Sequence, residues 1–179
     1  MVPNYTALEQ SIIDVVLEEQ IKIGYRKEKV RLYYPSKSII NILGTNDMTD
    51  TLVDRLRKFC KYTKDKLGRI DVSHKGDRFC FIISEDGVEY IHEHMGDMSF
   101  LSDFIEVIGK HPCHIENVED VFKNHSESYC FSVSDNKEFD YVFWFEDGKP
   151  DSYLYCLKSE GEHMIYHRFT KEDYKDFQL

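Results

Sequence analysis

The chain has 179 residues, of which 41% are hydrophobic and 31% are charged, and it contains only 9 glycines and 4 prolines. A chain of this length and composition buries a hydrophobic core and falls outside the class of disordered proteins. Its formal net charge of -10 disfavours general binding to nucleic acid, because phosphates repel an acidic protein. The sequence lacks a basic leader with a following apolar segment, and it lacks an apolar run of membrane-spanning length. We therefore expect a cytoplasmic protein that does not bind membranes.

The charge is distributed unevenly along the chain. Residues 22–78 hold 15 Lys and Arg against 7 Asp and Glu, whereas residues 79–179 hold 8 against 22. One interpretation is that the two halves attract each other or that their solvated faces simply differ. The other interpretation is a surface in the basic segment that binds a protein or anionic partner.

The first half of the chain predicts helices around short strands. An amphipathic helix over 7–23, with Thr6 as its cap, precedes a strand over 29–34 and a short helix that begins at Ser36. A longer helix over 49–67 carries much of the positive charge on its outer surface. A hairpin follows, with arms starting at Ile70 and Phe79, and then a third strand over 88–92.

Two further helices, over 98–108 and 115–123, lead to four strands and a last short helix over 171–177. The strands cover 129–133, 139–145, 153–157 and 164–169, and polar connections of hairpin length join them. This spacing predicts an antiparallel meander. Its middle strands carry aromatic and apolar residues on both faces. We therefore expect other parts of the protein, or another chain, to pack against both faces and shield them from water.

The predicted architecture is a single α+β domain over 1–179. An antiparallel β-sheet, made of the C-terminal four-stranded meander and the earlier hairpin, is packed by amphipathic helices from the N-terminal half. The 5 cysteines are odd in number, widely spaced and flanked by apolar residues, which predicts free thiols in a reducing compartment.

Tyrosine and arginine are enriched at protein contact surfaces, and both cluster in the basic segment. The predicted binding surface lies within residues 25–66 and comprises Tyr25, Arg26, Arg31, Tyr34, Arg57 and Lys61. The alternative is that these tyrosines line the edge of the core. We favour a non-enzymatic binding protein without a cofactor, and the sequence leaves catalytic activity open.

The histidines offer a second hypothesis, a small metal-dependent hydrolase. On a strand, His92 and His94 would share one face, and His111 with Cys113 or His114 would complete a tetrahedral zinc shell. The competing interpretation is that these are ordinary surface histidines near turns. The sequence contains no GxSxG elbow and no glycine-rich phosphate loop.

The segments Glu18 to Lys27, Val30 to Pro35 and Tyr166 to Phe177 resemble a family of uncharacterised bacterial proteins from gut-dwelling anaerobes, a domain of unknown function. The resemblance spans most of the chain. It implies a bacterial cytosolic protein and assigns no catalytic residue.

Overall fold

The computed structural model of the protein describes residues 2–25, 27–134 and 137–177. Contacts within the chain divide it into two compact units, Met1–Gly96 and Asp97–Leu179. The single domain over 1–179 stays a prediction.

The first unit contains five helices and three strands in its described part. In chain order they are α1 (Tyr5–Ile23), β1 (Val30–Pro35), α2 (Ser36–Leu43), α3 (Thr49–Tyr62), α4 (Lys64–Leu67), β2 (Ile70–Lys75), β3 (Arg78–Ile83) and α5 (Glu85–Glu93). The strands form an antiparallel sheet in the order β1-β3-β2, so β2 is an edge strand.

One face of this sheet is packed and the other is open to solvent. Along β1, buried and exposed residues alternate from Val30 onward, as expected for a half-buried strand. The pairing register places Leu32, Phe81 and Val72 side by side on the packed face. Helices α1 and α2 contact β1, and α3 contacts β2.

Helix α1 begins two residues earlier than its apolar pattern suggests. The cap is Asn4, whose side-chain oxygen accepts a hydrogen bond of 3.1 Å from the backbone N–H of Ala7. The predicted cap, Thr6, lies inside the helix, and its hydroxyl lies 3.2 Å from the hydroxyl of Tyr62.

The predicted third strand over 88–92 is wrong, because these residues belong to α5. Gly87, Val88 and Ile91 are buried, which is the i, i+1, i+4 spacing of a helix face. The acidic side chains of Glu85 and Asp86 occupy the first turn, where the helix dipole favours negative charge.

The second unit carries the meander. Its elements are α6 (Ser99–Ile108), α7 (Ile115–His125), β4 (Tyr129–Val133), β5 (Tyr141–Phe145), β6 (Leu154–Glu160), β7 (His163–Phe169) and α8 (Lys171–Phe177). The strands pair antiparallel in sequence order, β4-β5-β6-β7.

Aromatic side chains on both faces of this second sheet are packed within the unit. Helices α6 and α7 cover one face, where the ring of Phe122 stacks against Phe143 and Phe145 at centroid distances of 4.9 and 5.0 Å. On the other face, a cluster around Val142 and Cys156 includes Trp144 and Tyr174 of α8. The α+β class, with an early hairpin and a C-terminal meander packed by helices, is confirmed.

Candidate functional site

A groove in the first unit runs between helix α3 and the edge strand β2. Its volume is about 680 Å³. The lining residues are Val53, Arg57, Cys60, Lys61, Lys64, Gly68, Arg69, Ile70, Asp71, Val72, Ser73, His74 and Phe79. We call it the cationic groove.

The helical wall of the groove comes from one stripe of α3 and its continuation. Leu52, Leu56 and Phe59 are buried in the core of the first unit. Residues displaced by one position around the helix, such as Val53 and Cys60, therefore reach the surface beside the sheet, where both are half-buried. They form an apolar base from which the longer cationic side chains extend.

The opposite wall is β2, which pairs with β3 along one side. Among the described residues, no strand pairs with the other side of β2. Ile70, Val72 and His74 share the packed face with Phe79, because the register aligns His74 with Phe79. The imidazole of His74 stacks on the Phe79 ring at a centroid distance of 5.3 Å, which extends the apolar floor toward the open end.

The cations of the groove are only partly neutralised. The guanidinium of Arg57 lies 2.9 Å from the Asp54 carboxylate, and that of Arg69 lies 2.9 Å from Asp71. Within the described ranges, the side chains of Lys61 and Lys64 form no ion pair or hydrogen bond, and both are exposed. The groove therefore presents uncompensated positive charge above an apolar floor.

Cys60 is the one thiol that lines the groove in the described part of the chain. Burial first, and the nearby carboxylate of Asp71 second, raise the pKa of Cys60 to about 11. The thiol is therefore protonated at neutral pH, and in this state it packs as a small apolar group.

Of the predicted binding residues that the structure describes, Arg57 and Lys61 are the two that line the groove. Tyr25 is 64% exposed and lies just past the end of α1, and Arg26 lies outside the described residues. Arg31 shares the open face of the first sheet with Asp71.

Tyr34 is a core residue and not part of an exposed surface. It is 8% exposed, its hydroxyl lies 3.1 Å from that of Ser11, and burial raises its pKa to about 12. The alternative that this tyrosine borders the core fits its position.

Sequence reasoning missed the groove residues Lys64 and Arg69 and the contribution of β2. The signal was present in the spacing of Arg57 and Lys61, which are four positions apart and so share one side of α3, with Lys64 three positions further on at the start of α4. What the sequence does not indicate is that this side of the helix lies next to an unpaired strand edge.

The histidines do not assemble in the way that the zinc hypothesis required. His92 and His94 lie on α5 and at its end, so the shared strand face on which that hypothesis rested does not exist. The Nδ1 atom of His92 lies 3.3 Å from Oε1 of Gln20, and that of His94 lies 2.8 Å from the carbonyl oxygen of Tyr90.

In the second unit, the ring of His111 contacts that of His163 at 4.2 Å, and His114 precedes the first turn of α7. The described residues include no group of three or more His, Cys, Asp or Glu side chains able to hold a metal ion. They also include no helix with the length and apolar character needed to span a membrane.

Comparison with known proteins identifies a family. A family model described as "Domain of unknown function, E. rectale Gene description (DUF3877)" matches residues 5–178. No curated protein and no solved structure matches the chain. The family match confirms the resemblance seen at both ends of the sequence. The chain belongs to the DUF3877 family.

Proposed function

We propose that the chain is a cytoplasmic, non-enzymatic binding protein whose cationic groove takes an acidic segment of a partner protein. The observation that carries this proposal concerns Lys61 and Lys64, which line the groove above its apolar floor. Their side chains form no ion pair with any described residue. Interfaces combine an apolar centre with a charged rim, and complementary charge at the rim steers the partner and selects it.

The chemistry of Cys60 supports binding over thiol catalysis in this groove. A nucleophilic cysteine requires a lowered pKa, because the thiolate is the reactive form. Burial instead raises the pKa of Cys60 to about 11. The thiol therefore contributes apolar surface to a partner.

The state of the cysteines supports the proposed location. Cys60, Cys80, Cys113, Cys130 and Cys156 are all free. Free thiols are typical of proteins in reducing compartments, so we place the protein in the bacterial cytoplasm.

Charge reversal in the groove tests the proposal. The probe is fluorescein-labelled poly-L-glutamate, and its dissociation constant is measured by fluorescence anisotropy at several salt concentrations. We expect the double variant Lys61→Glu/Lys64→Glu to weaken binding about tenfold or more, because two attractive contacts become repulsive. The salt dependence of binding should fall in the same variant.

The matched control is Lys29→Glu/Lys58→Glu, which changes the net charge equally. Both residues are exposed and neither lines the groove, although Lys58 lies on the same helix. We expect at most a twofold to threefold effect from it, since only the overall field changes. Equal weakening by the two double variants would show that the groove is not the binding site.

A further inference from the structure

We infer that the partner segment binds as an added β-strand on the free edge of β2, lying in the cationic groove between β2 and α3. This inference rests on the proposed function and specifies its geometry. An edge strand presents a row of backbone N–H and C=O groups that an extended peptide can pair with. In the described part of the sheet, β2 is such an edge.

The position of α3 makes this edge a binding site with two walls. Strand β2 spans six residues, or about 20 Å, and an added strand would lie about 4.8 Å beyond it. At that position it would run beside the α3 residues that line the groove, from Val53 to Lys61, and beside Lys64 of α4. The backbone of the peptide would pair with β2, and every second side chain would point toward α3.

The alternation of side chains along β2 defines which side chains of the peptide contact the groove. Ile70, Val72 and His74 face the packed side of the sheet, whereas Asp71 and Ser73 face the open side. An added strand follows the same alternation. Its inward side chains therefore meet α3, and its outward side chains remain in solvent and contribute little to selectivity.

Spacing along α3 predicts the sequence of the partner segment. With a rise of about 1.5 Å per residue, Arg57 and Lys61 lie about 6 and 12 Å beyond Val53 along α3, and Lys64 follows at the start of α4. Inward side chains of a strand recur every 6.6 Å or so. An apolar residue opposite Val53, followed by acidic residues two and four positions on, matches this order.

The partner is therefore an extended segment of the pattern apolar-x-acidic-x-acidic. A helical partner would present residues four positions apart about every 6 Å, but it would leave the backbone groups at the free edge of β2 unpaired. Backbone pairing with β2 therefore favours the extended segment over a helix. The apolar position distinguishes the segment from a purely electrostatic ligand, because Val53 and Cys60 provide a half-buried apolar surface for it.

The test uses the full chain and a synthetic, amidated peptide with the sequence Gly-Val-Ser-Glu-Ser-Glu-Gly. Two N-methylated versions of this peptide are compared with it. One carries methyl groups on the backbone amides of odd-numbered residues, and the other carries them on those of even-numbered residues. In an added strand, one parity donates to β2 and the other points away. We expect one N-methylated peptide to bind about tenfold or more weakly than the parent and the other to bind within about threefold of it.

A second readout is hydrogen exchange of the protein. Bound peptide should slow exchange of those β2 amides that point away from β3, and leave exchange in the second unit unchanged.

A peptide of the same composition with the valine moved to the opposite parity should bind at least about fivefold more weakly, because valine then faces solvent.

Two results would overturn the added strand. One is equal affinity of both N-methylated peptides, and the other is unprotected β2 amides in the presence of saturating peptide. If poly-L-glutamate still binds in a manner that depends on Lys61 and Lys64, the proposed function stands and only the strand geometry fails. If neither probe binds, both fail, and the charges along β2 act instead to prevent strand-to-strand association.

Discussion

A β-carbon on Gly87 would lie 2.4 Å from the carbonyl oxygen of Leu67, because α5 and the end of α4 approach each other at this glycine. The same atom would lie 2.9 Å from Cγ2 of Ile83. The backbone oxygen belongs to a buried residue and has little room to move. The approach of these elements therefore requires a residue without a side chain, although glycine is unfavourable within a helix.

We predict that Gly87→Ala destabilises the protein by about 1–3 kcal/mol, measured by urea unfolding. An alanine in an open helix would stabilise it by up to about 1 kcal/mol, so the sign of the change is diagnostic. Gly96→Ala is the control, since nothing lies within 4 Å of its β-carbon position. A stabilising Gly87→Ala would refute the close approach.

In the second unit, Phe122 is the centre of the aromatic core. Its ring contacts Phe100, Phe143, Phe145 and Tyr155, and its side chain has no exposed surface. We predict that Phe122→Ala costs about 3–5 kcal/mol in the free energy of unfolding.

The matched control for this prediction is Phe131→Ala on the edge strand β4. Phe131 is 41% exposed, although its ring also contacts Phe143 at 4.7 Å. We expect a cost below about 2 kcal/mol, because a part of the ring is hydrated in the folded state. Equal costs for the two variants would show that α6 and α7 do not cover the meander in solution.

Thiol reactivity reports on the environment of Cys60. With its pKa raised to about 11, chiefly by burial, the thiolate is scarce at pH 8. Alkylation by iodoacetamide should therefore be on the order of a hundredfold slower than for an ordinary exposed thiol. Mass spectrometry of the peptide that contains Cys60 measures the rate.

We expect this rate to rise about tenfold per pH unit up to a pH near 11. Saturating acidic peptide should slow it further, because the ligand would cover the groove. A plateau in the alkylation rate near pH 8.5 would contradict the burial of this thiol.

Alkaline pH should destabilise the second unit through Cys156. Burial raises the pKa of the Cys156 thiol to about 12 in the folded protein, whereas the thiol of an unfolded chain titrates near about 8.5. Between these values the unfolded state holds fewer protons than the folded state. Stability contributed by this group is therefore complete below about pH 8.5 and is lost as the pH rises toward 12.

The variant Cys156→Ala isolates this effect. Thermal unfolding at pH 7, 9 and 10.5 should show the wild-type protein losing more of its Tm than the variant as the pH rises. The variant starts from a lower Tm, because removing a buried side chain leaves a small cavity. Parallel Tm curves for both proteins would indicate that Cys156 is hydrated.

The local pattern of apolar residues predicted most helices and strands. It failed where the same apolar residues fit both the period of a strand and that of a helix. The hairpin at Ile70 and Phe79 and the four strands of the meander follow from short apolar and aromatic runs bounded by polar turn residues, and the structure has them. Residues 88–92 contain apolar residues that fit both a strand and a helix. The helix forms because Gly87, Val88 and Ile91 together have a surface to pack against.

Contacts between residues far apart in the sequence were also not predicted. Glu9 lies on α1, where it is only 5% exposed, and its carboxylate pairs with Nζ of Lys66 at 2.6 Å. The two residues are 57 positions apart. A helix period shows which residues share a face, but it does not show which distant charge that face meets.

For this protein, sequence alone determined the α+β class, the antiparallel hairpins, the free cysteines and the basic character of α3, because each depends on residues close together in the chain or on composition. Only the tertiary structure decided that β1 pairs with β3, that β2 is an edge of the described sheet, and that the side of α3 with Lys61 borders that edge together with Lys64 of α4. These relationships depend on contacts between segments far apart in sequence. Their free energy comes from burying apolar surface that either segment alone leaves in water.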